Sequence, residues 1–486
     1  MPPPASDRAL EAKLKDVDAR LRRRPGSIEL KFDRARLLDR LERKDAAKKA
    51  YLEVLTLAPQ HFGAMNDLAM LLYATGQRKE GFLLYAEAVE RHPENPIAHS
   101  NLAYMFLKAS EPARARHHYE TALRLDPANT EAQRGLMSVL AQLGETKTVA
   151  TLLEAGVAPS MVRLPYRGSG RAISVLLLVS IGAGNIEAER LIDDRTFETT
   201  KLAVELHDPA AALPPHRVVF NAIGDADACA SALATAQALL AASAAQIVNP
   251  PERILASGRT ANAARLRTLE GVVTPQIAQL ARDDLLAPDA AAMLAARGLR
   301  FPLLVRALGF HTGQYFVRVE RAADLADAMA ALPGEELLAI EFLDTAGVDG
   351  ALRKYRVMCI DGALYPLHMA ISNDWKVHYF SADMSESEGN RAEDAAFLRD
   401  MRGVLGPRAI SALEAIFATL DLDYAGIDFA LDATGSVVVF EANATMVLVR
   451  PPDDERFAYR RAPVERAFEA VSILLRNKAL AQASRT

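Results

Sequence analysis

The run Asp423-Tyr-Ala-Gly-Ile-Asp428-Phe-Ala-Leu-Asp432-Ala-Thr-Gly435-Ser-Val-Val-Val-Phe440-Glu441-Ala-Asn443 reads as two strands around a turn. Side chains two apart on a strand share a face, so Glu441 and Asn443 point the same way. The Asp432-Ala-Thr-Gly435 turn folds the chain back and brings Asp428 beside them. Three oxygen ligands, two of them anionic, suit a hard cation such as magnesium or manganese, which completes its shell with water and phosphate oxygens. The alternative is a plain hairpin with charged residues at its rim. Against it, Glu441 closes the apolar run Val437–Phe440, where a carboxylate is costly to bury unless paired or on a metal.

Segments upstream extend this pattern. Phe301-Pro-Leu-Leu-Val-Arg306 is a strand ending on a cation, followed by Ala307-Leu-Gly-Phe-His311-Thr-Gly313-Gln and a second strand, Tyr315–Val319. Leu337–Leu343 is an apolar strand carrying Glu341. Lys354–Ile360 and Ala363–Ile371 form a hairpin around the two-residue turn Asp361-Gly362. In this order the pieces, over roughly residues 171–475, resemble the ATP-grasp superfamily of the carboxylate–amine ligase type.

In that superfamily a strand cation touches the nucleotide phosphates, a glycine-containing loop covers them, and a linker after an apolar strand holds the adenine. Carried over residue by residue, the resemblance implies phosphate contacts from Arg306 and Arg259 and a covering loop with His311 and Gly313. It implies a nucleotide linker at Glu341, Phe342 and Leu343, and a metal set of Asp428, Glu441 and Asn443. The implied cofactors are ATP and magnesium or manganese. Arginine stands at both positions where such families usually carry lysine; a guanidinium holds phosphate bidentately.

At 486 residues the chain is too long for one core, and two or three domains are expected. Half of its residues are hydrophobic and 24% are charged, the balance of an ordinary globular protein. The two cysteines, Cys229 and Cys359, provide no disulfide framework or cysteine metal site, which fits a reducing cytoplasm. The N-terminal Met1-Pro-Pro-Pro-Ala-Ser-Asp7 runs into a charged helix without the apolar core of a signal peptide. No apolar run reaches the roughly 18 residues of a membrane span, so no membrane association is expected.

Residues 1–150 hold 24 Lys+Arg against 20 Asp+Glu and the remainder 33 against 42, so the halves differ in charge sign. Arg22-Arg23-Arg24 lie in the basic first fifty residues. A basic helical face attracts acidic partners or nucleic acid, but without an interleaved aromatic platform nucleic acid is disfavoured and a solvated face is the simpler reading.

Prolines at 25, 59, 93 and 127 recur every 34 residues. Tyr51, Tyr85 and Tyr119 keep the same period, as do Ala35, Ala69 and Ala103, and Ala47, Gly81 and Ala115. This period is that of tetratricopeptide repeats, each a helix–turn–helix of 34 residues. About three full repeats with flanking partial ones fit residues 26–155. Such units stack into a curved solenoid whose groove receives a peptide or a protein segment; a purely structural or homodimerising module is the alternative. His117 and His118 are adjacent on a helix and do not face one site.

The Pro/Gly-containing loop 163–171 marks a boundary. Beyond it, short β-rich runs at Ile173–Ser180, Lys201–Leu206 and His216–Ile223 alternate with helical stretches at Ala226–Ala245 and Ala261–Leu269, which argues a small parallel sheet. Gly182 and Gly184 lack the lysine of a P-loop and the spacing of a dinucleotide fingerprint, so a strand-to-helix turn is the preferred reading. The expected fold class is multidomain α and α/β. A repeat solenoid (1–160) precedes a small α/β lobe (171–250) and an ATP-grasp domain (251–480).

ATP-grasp enzymes activate a carboxylate as an acyl phosphate, which an amine or thiol then displaces. Metal and arginines neutralise the phosphate as the carboxylate approaches. Arg356, Lys376 and Arg450 are the candidate catalytic residues for a small carboxylate or amine co-substrate, with Arg356 and Lys376 as a carboxylate clamp. His368 reads equally as structural or catalytic, and Trp375 equally as a binding platform or a core residue. The expected function is an ADP-forming ligase whose repeats recruit a peptide or protein substrate. The alternatives are a nucleotide-binding scaffold without turnover and phosphoryl transfer to a non-carboxylate acceptor.

Overall fold

A computed structural model describes residues 5–41, 43–109, 111–143, 145, 148–149, 151–152, 160–182, 184–308, 315–377, 382, 384–451 and 454–483. The expected site residues His311 and Gly313 lie outside the described residues. The chain forms two compact units, residues 1–183 with 193–216, and residues 184–192 with 217–486.

The first unit opens with eight helices: α1 (Ala5–Arg23), α2 (Ile28–Arg40), α3 (Lys44–Leu57), α4 (Phe62–Ala74), α5 (Arg78–Arg91), α6 (Pro96–Lys108), α7 (Pro112–Leu125) and α8 (Thr130–Gln142). Each periodic proline stands two residues beyond a helix end, where the missing N–H and fixed φ prevent continuation. The next helix then starts on a cap that repeats every 34 residues. Ser27, His61, Asn95 and Asn129 each accept a backbone N–H of the first turn through the side chain.

The periodic small residues mark where helices touch. A Cβ at Gly81 would lie 2.8 Å from the Ala69 carbonyl oxygen, so glycine alone fits that crossing without a shift. Tyr51, Tyr85 and Tyr119 are buried between layers. Met137, Leu140 and Val149 pack against Ile181 and Leu206, which lie beyond the 163–171 loop. Hydrophobic packing thus carries the first unit past the loop and into strands β1 (Met161–Arg163), β2 (Ile173–Val179) and β3 (Phe197–Ala203). β3 pairs with β2 in parallel and with β1 antiparallel, so the strands here are mixed where a parallel sheet is expected. Residues 204–206, read from sequence as strand, are a 3-10 turn.

The second unit contains the parallel pair β4 (Val218–Asn221) and β5 (Gln246–Val248) around α9 (Ala230–Leu240), followed by α10 (Pro251–Leu255) and α11 (Arg259–Leu266). The helix expected over 226–245 is confined to α9, because an Asx-type turn on Asp225 occupies its start. Gly184, at φ +83°, leads into a bridge to Ile223 and a short 3-10 turn rather than a long helix.

After β6 (Val272–Val273), an antiparallel sheet runs β7 (Ile277–Ala281), β10 (Glu336–Glu341), β8 (Leu303–Ala307), β9 (Phe316–Val319) in spatial order. Helices α12 (Arg282–Leu286), α13 (Ala290–Ala296) and α14 (Leu325–Ala331) lie between its strands in sequence. Leu285, Leu294, Leu303, Val305 and Met329 share one core under it. Tyr315 takes φ +46° and lies outside β9, and β10 ends at Glu341, leaving Phe342 and Leu343 beyond the strand.

The largest sheet orders β12 (Ala363–Ser372), β11 (Leu352–Ile360), β13 (Tyr424–Leu431), β14 (Val437–Asn443) and β6, with β6 parallel to β14. The hairpins β11–β12 and β13–β14 turn where the sequence places them. Helices α15 (Glu388–Arg399), α16 (Met401–Leu420) and α17 (Arg461–Ala483) complete this unit. α16 corrects the expectation that no apolar stretch reaches span length, since it passes by length and mean hydropathy. It is a core helix: Leu405, Ile410, Leu413, Ile416 and Leu420 are buried, and it kinks at Gly406-Pro407.

Candidate functional site

Register aligns four charged or titratable side chains across four strands. His368 on β12 pairs with Arg356 on β11, Arg356 with Asp428 on β13, and Asp428 with Glu441 on β14. Directly opposite residues share a sheet face, so the four project from the same side. A β-bulge abuts the row at each end. Leu367 drops out of register beside His368, and Phe440 beside Glu441. Bulges re-aim side chains next to functional sites.

Within the row, Arg356 donates to both oxygens of Asp428, Nε to Oδ1 at 2.6 Å and Nη2 to Oδ2 at 2.8 Å. Lys354, two residues back on the same strand face, places Nζ 3.1 Å from Oδ2. Burial disfavours the Asp428 charge, but Arg356 and Lys354 outweigh it and hold the carboxyl well below the usual range. Burial, then Arg356 and Arg460, push His368 well below its ordinary value, so it is neutral at pH 7. Neutral and enclosed, His368 fits a packing role.

Glu441 opens onto a cleft of about 620 Å³ including its mouth. The cleft is walled by Gly224–Asp227, by Ser257, Gly258, Arg259 and Asn262 around the start of α11, by Thr274, Pro275 and Ile277, and by Val439–Asn443. Arg259 Nη2 donates to Glu441 Oε1 at 2.9 Å, and Asn443 Nδ2 donates to the same oxygen at 2.9 Å. Asn443 Oδ1 in turn accepts the Thr445 N–H and hydroxyl. Arg306 on β8 is largely buried. Burial and then the Arg259 charge lower its guanidinium to about 10, partly offset by Glu441 and Asp225, and it remains a cation at neutral pH. Arg259 is therefore paired with Glu441, and Arg306 lies near enough to feel the charges of both.

Glu441 and Asn443 are the residues of this cleft that could hold a hard cation. Glu441 and Asn443 offer hard oxygens on adjacent same-face positions, and both hydrogen bonds to Glu441 fall on Oε1. Among the described residues no three His, Cys, Asp or Glu side chains form a ready metal cage, so a cation here relies on two carboxylates, an amide and ligand oxygens. Backbone approaches the cleft closely: a Cβ at Gly224 would sit 3.0 Å from Thr445 Cγ2, and one at Gly258 2.6 Å from Asp227 Oδ1. Four carboxylates (Asp225, Asp227, Asp428, Glu441) face four cations (Arg259, Arg306, Lys354, Arg356) in this region.

Glu341, Phe342 and Leu343 follow next to the Pro275–Ile277 segment. Glu341 accepts the Gln276 N–H at 2.9 Å and donates its own N–H to the Gln276 carbonyl, which ties the linker to the Pro275–Ile277 wall. Arg318 lies 4.1 Å over the Phe342 ring, and Leu343 is half-buried.

The other two expected catalytic residues, Lys376 and Arg450, lie outside the strand row. Lys376 is exposed in a turn closed by Asp374, and Arg450 forms a fork with Glu465 while stacking 3.8 Å over Phe468 of α17. Trp375 packs edge-on against Phe316, whose ring Arg306 also covers. Lys354 was legible from its place two residues before Arg356. Asp225, Asp227 and Asn262 carried no sequence signal, because loops far apart in the chain bring them to the cleft.

In the first unit, the 34-residue period puts Met70 and Tyr104 at one position of successive repeats, both exposed. His118 meets His99 from the neighbouring helix, Nδ1 to Nδ1 at 3.0 Å, and stacks on Phe106.

Residues 32–96, 83–128 and 100–148 match the tetratricopeptide repeat family. The N-terminal helices are tetratricopeptide repeats. Solved structures similar to the chain include MamA from Desulfovibrio magneticus RS-1, at 20% identity over 30% of this chain and 82% of that one, with a TM-score of 0.28. Another MamA structure shares 13% identity over 32% and 95%, also at 0.28. YrrB, described as a tetratricopeptide protein with an unusual peptide-binding site, shares 19% identity over 29% and 72%, at 0.26. No curated protein sequence matches the chain.

Proposed function

We propose that the second unit binds ATP with magnesium or manganese in the Glu441 cleft and is an ADP-forming carboxylate–amine ligase of the ATP-grasp type. The observation that carries this reading is the Arg259–Glu441 pair beside Asn443, with the Arg306 charge close by, in a cleft lined by Gly224 and Gly258. Bound magnesium supplies charge neutralisation for phosphoryl transfer. Arg259 and Arg306 orient the phosphates, Glu441 and Asn443 hold the cation, and the Glu341–Leu343 linker borders the base. A carboxylate substrate is drawn to Arg356 and Lys354. The tetratricopeptide repeats recruit a peptide or protein substrate through their groove, remote binding that raises local concentration at the reacting site.

A second reading, a nucleotide-binding scaffold without turnover, is favoured by one feature: Arg356 and Lys354 already neutralise Asp428. ADP release from the full chain with amino acids and short peptides distinguishes the two. The ligase reading expects ADP release that requires a divalent cation and disappears in Glu441→Gln. Tight metal-dependent ATP binding with no acceptor-stimulated ADP supports the scaffold.

A further inference from the structure

Arg356 and Lys354 on β11 are partly buried, with side chains 23% and 16% exposed. Both spend their charge on one carboxylate. The Arg356 fork donates to both Asp428 oxygens, and the Lys354 ammonium is ion-paired to one of them at 3.1 Å. Asp428 stands directly opposite Glu441, which faces the cleft. A divalent cation shared by Glu441 and Asp428 competes with the two side chains for the same oxygens. It also puts positive charge beside two cations that are shielded from water, an arrangement favourable only if they turn to another anion.

We propose that Lys354 and Arg356 form a binding site for a small oxyanion, the carboxylate of the second substrate, that Asp428 occupies as an internal surrogate until a divalent cation claims it. This rests on the reading of the cleft as a magnesium–nucleotide site. Asp428 is then a switch between two partners: ion-paired to β11 when the cleft lacks metal, and turned to the cation when metal is present. Binding is ordered as a result, with metal and nucleotide first and carboxylate second. The fork geometry of Arg356 matches a carboxylate bidentately, as its hold on Asp428 already demonstrates. Lys376, expected from sequence as the second half of this clamp, is exposed in the following loop. Lys354 takes its place because strand alternation sets it beside Arg356.

The test uses the full chain and acetate as the probe anion, with affinity read by calorimetry. In EDTA the parent protein binds acetate weakly or not at all, and magnesium with a non-hydrolysable ATP analogue strengthens binding by about tenfold or more. Asp428→Asn, which retains the shape but frees the two cations, binds acetate to a similar extent in EDTA without any nucleotide. Adding Arg356→Met to Asp428→Asn removes that gain, and Arg356→Met alone removes the magnesium-dependent gain. Equal acetate affinity in EDTA and magnesium for the parent, together with no gain in Asp428→Asn, overturns the proposal. So does a gain that survives Arg356→Met, because the anion then sits on the metal. A metal-independent gain in Asp428→Asn in a protein that binds no ATP supports the oxyanion site while removing the nucleotide reading.

Discussion

Asp428 and Arg356, 72 residues apart in sequence, form a two-bonded fork at 2.6 and 2.8 Å between adjacent strands, with the aspartate side chain only 5% exposed. Removing one member of a buried pair costs about 3–5 kcal/mol, because the other charge is left without its partner. Arg356→Met is expected at the low end of that range, since Lys354 still neutralises Asp428. Denaturant titration of both single variants and the double variant should give a coupling of about 1–3 kcal/mol. Additive losses would mean that the fork contributes nothing beyond its separate ends.

Arg306 stands on a different sheet from Glu441, yet its guanidinium feels the charges of Arg259 and Glu441. Arg306→Met should weaken binding of a magnesium-loaded, non-hydrolysable ATP analogue by about 1–3 kcal/mol, the loss of a charge-assisted hydrogen bond. Arg306→Lys should keep most of the affinity, measured by calorimetry. Undiminished binding in the methionine variant would remove β8 from the phosphate site.

Asp394 accepts the Met369 N–H and the Tyr459 hydroxyl in a fully buried position, and burial pushes its carboxyl up to about 6. A carboxyl raised from 3.8 favours the protonated folded state, so its contribution is fully present below about pH 4 and is lost as pH rises through about 6. Asp394→Asn preserves the acceptor for Met369 and cannot ionise. The stability difference between parent and variant should shift by about 2–3 kcal/mol in favour of the variant from pH 4 to 7. A pH-independent difference in urea unfolding would show that Asp394 titrates normally.

Gly135 lies in a helix, where alanine ordinarily gains about 1 kcal/mol over glycine. Here a Cβ would sit 2.1 Å from the Tyr119 ring, so overpacking wins. Gly135→Ala should destabilise the repeats by about 1–3 kcal/mol. A melting temperature at or above the parent's by far-UV circular dichroism would contradict this.

Met70 and Tyr104 are exposed at one position of successive repeats. If the repeats recruit the substrate, Met70→Glu with Tyr104→Ala should raise KM for a peptide substrate severalfold and leave KM for ATP unchanged. Equal KM values for the peptide would restrict the repeats to a structural role.

The sequence by itself determined the elements whose cause is local. The 34-residue period encodes helix stops, caps and small contact residues, each of which acts within a few residues. The hairpins β11–β12 and β13–β14 follow from turn chemistry and alternation, and these put Asp428 opposite Glu441. Only the tertiary structure decided which cation each carboxylate meets. Arg356 reached Asp428 because β11 lies beside β13, and Arg259 reached Glu441 across 182 positions, pairings that depend on strand order rather than spacing. The same holds for Lys376 and Arg450, whose residue types suit a clamp. A turn leaves the first in solvent and Glu465 claims the second, because a charge is held by whichever opposite charge the fold brings within reach.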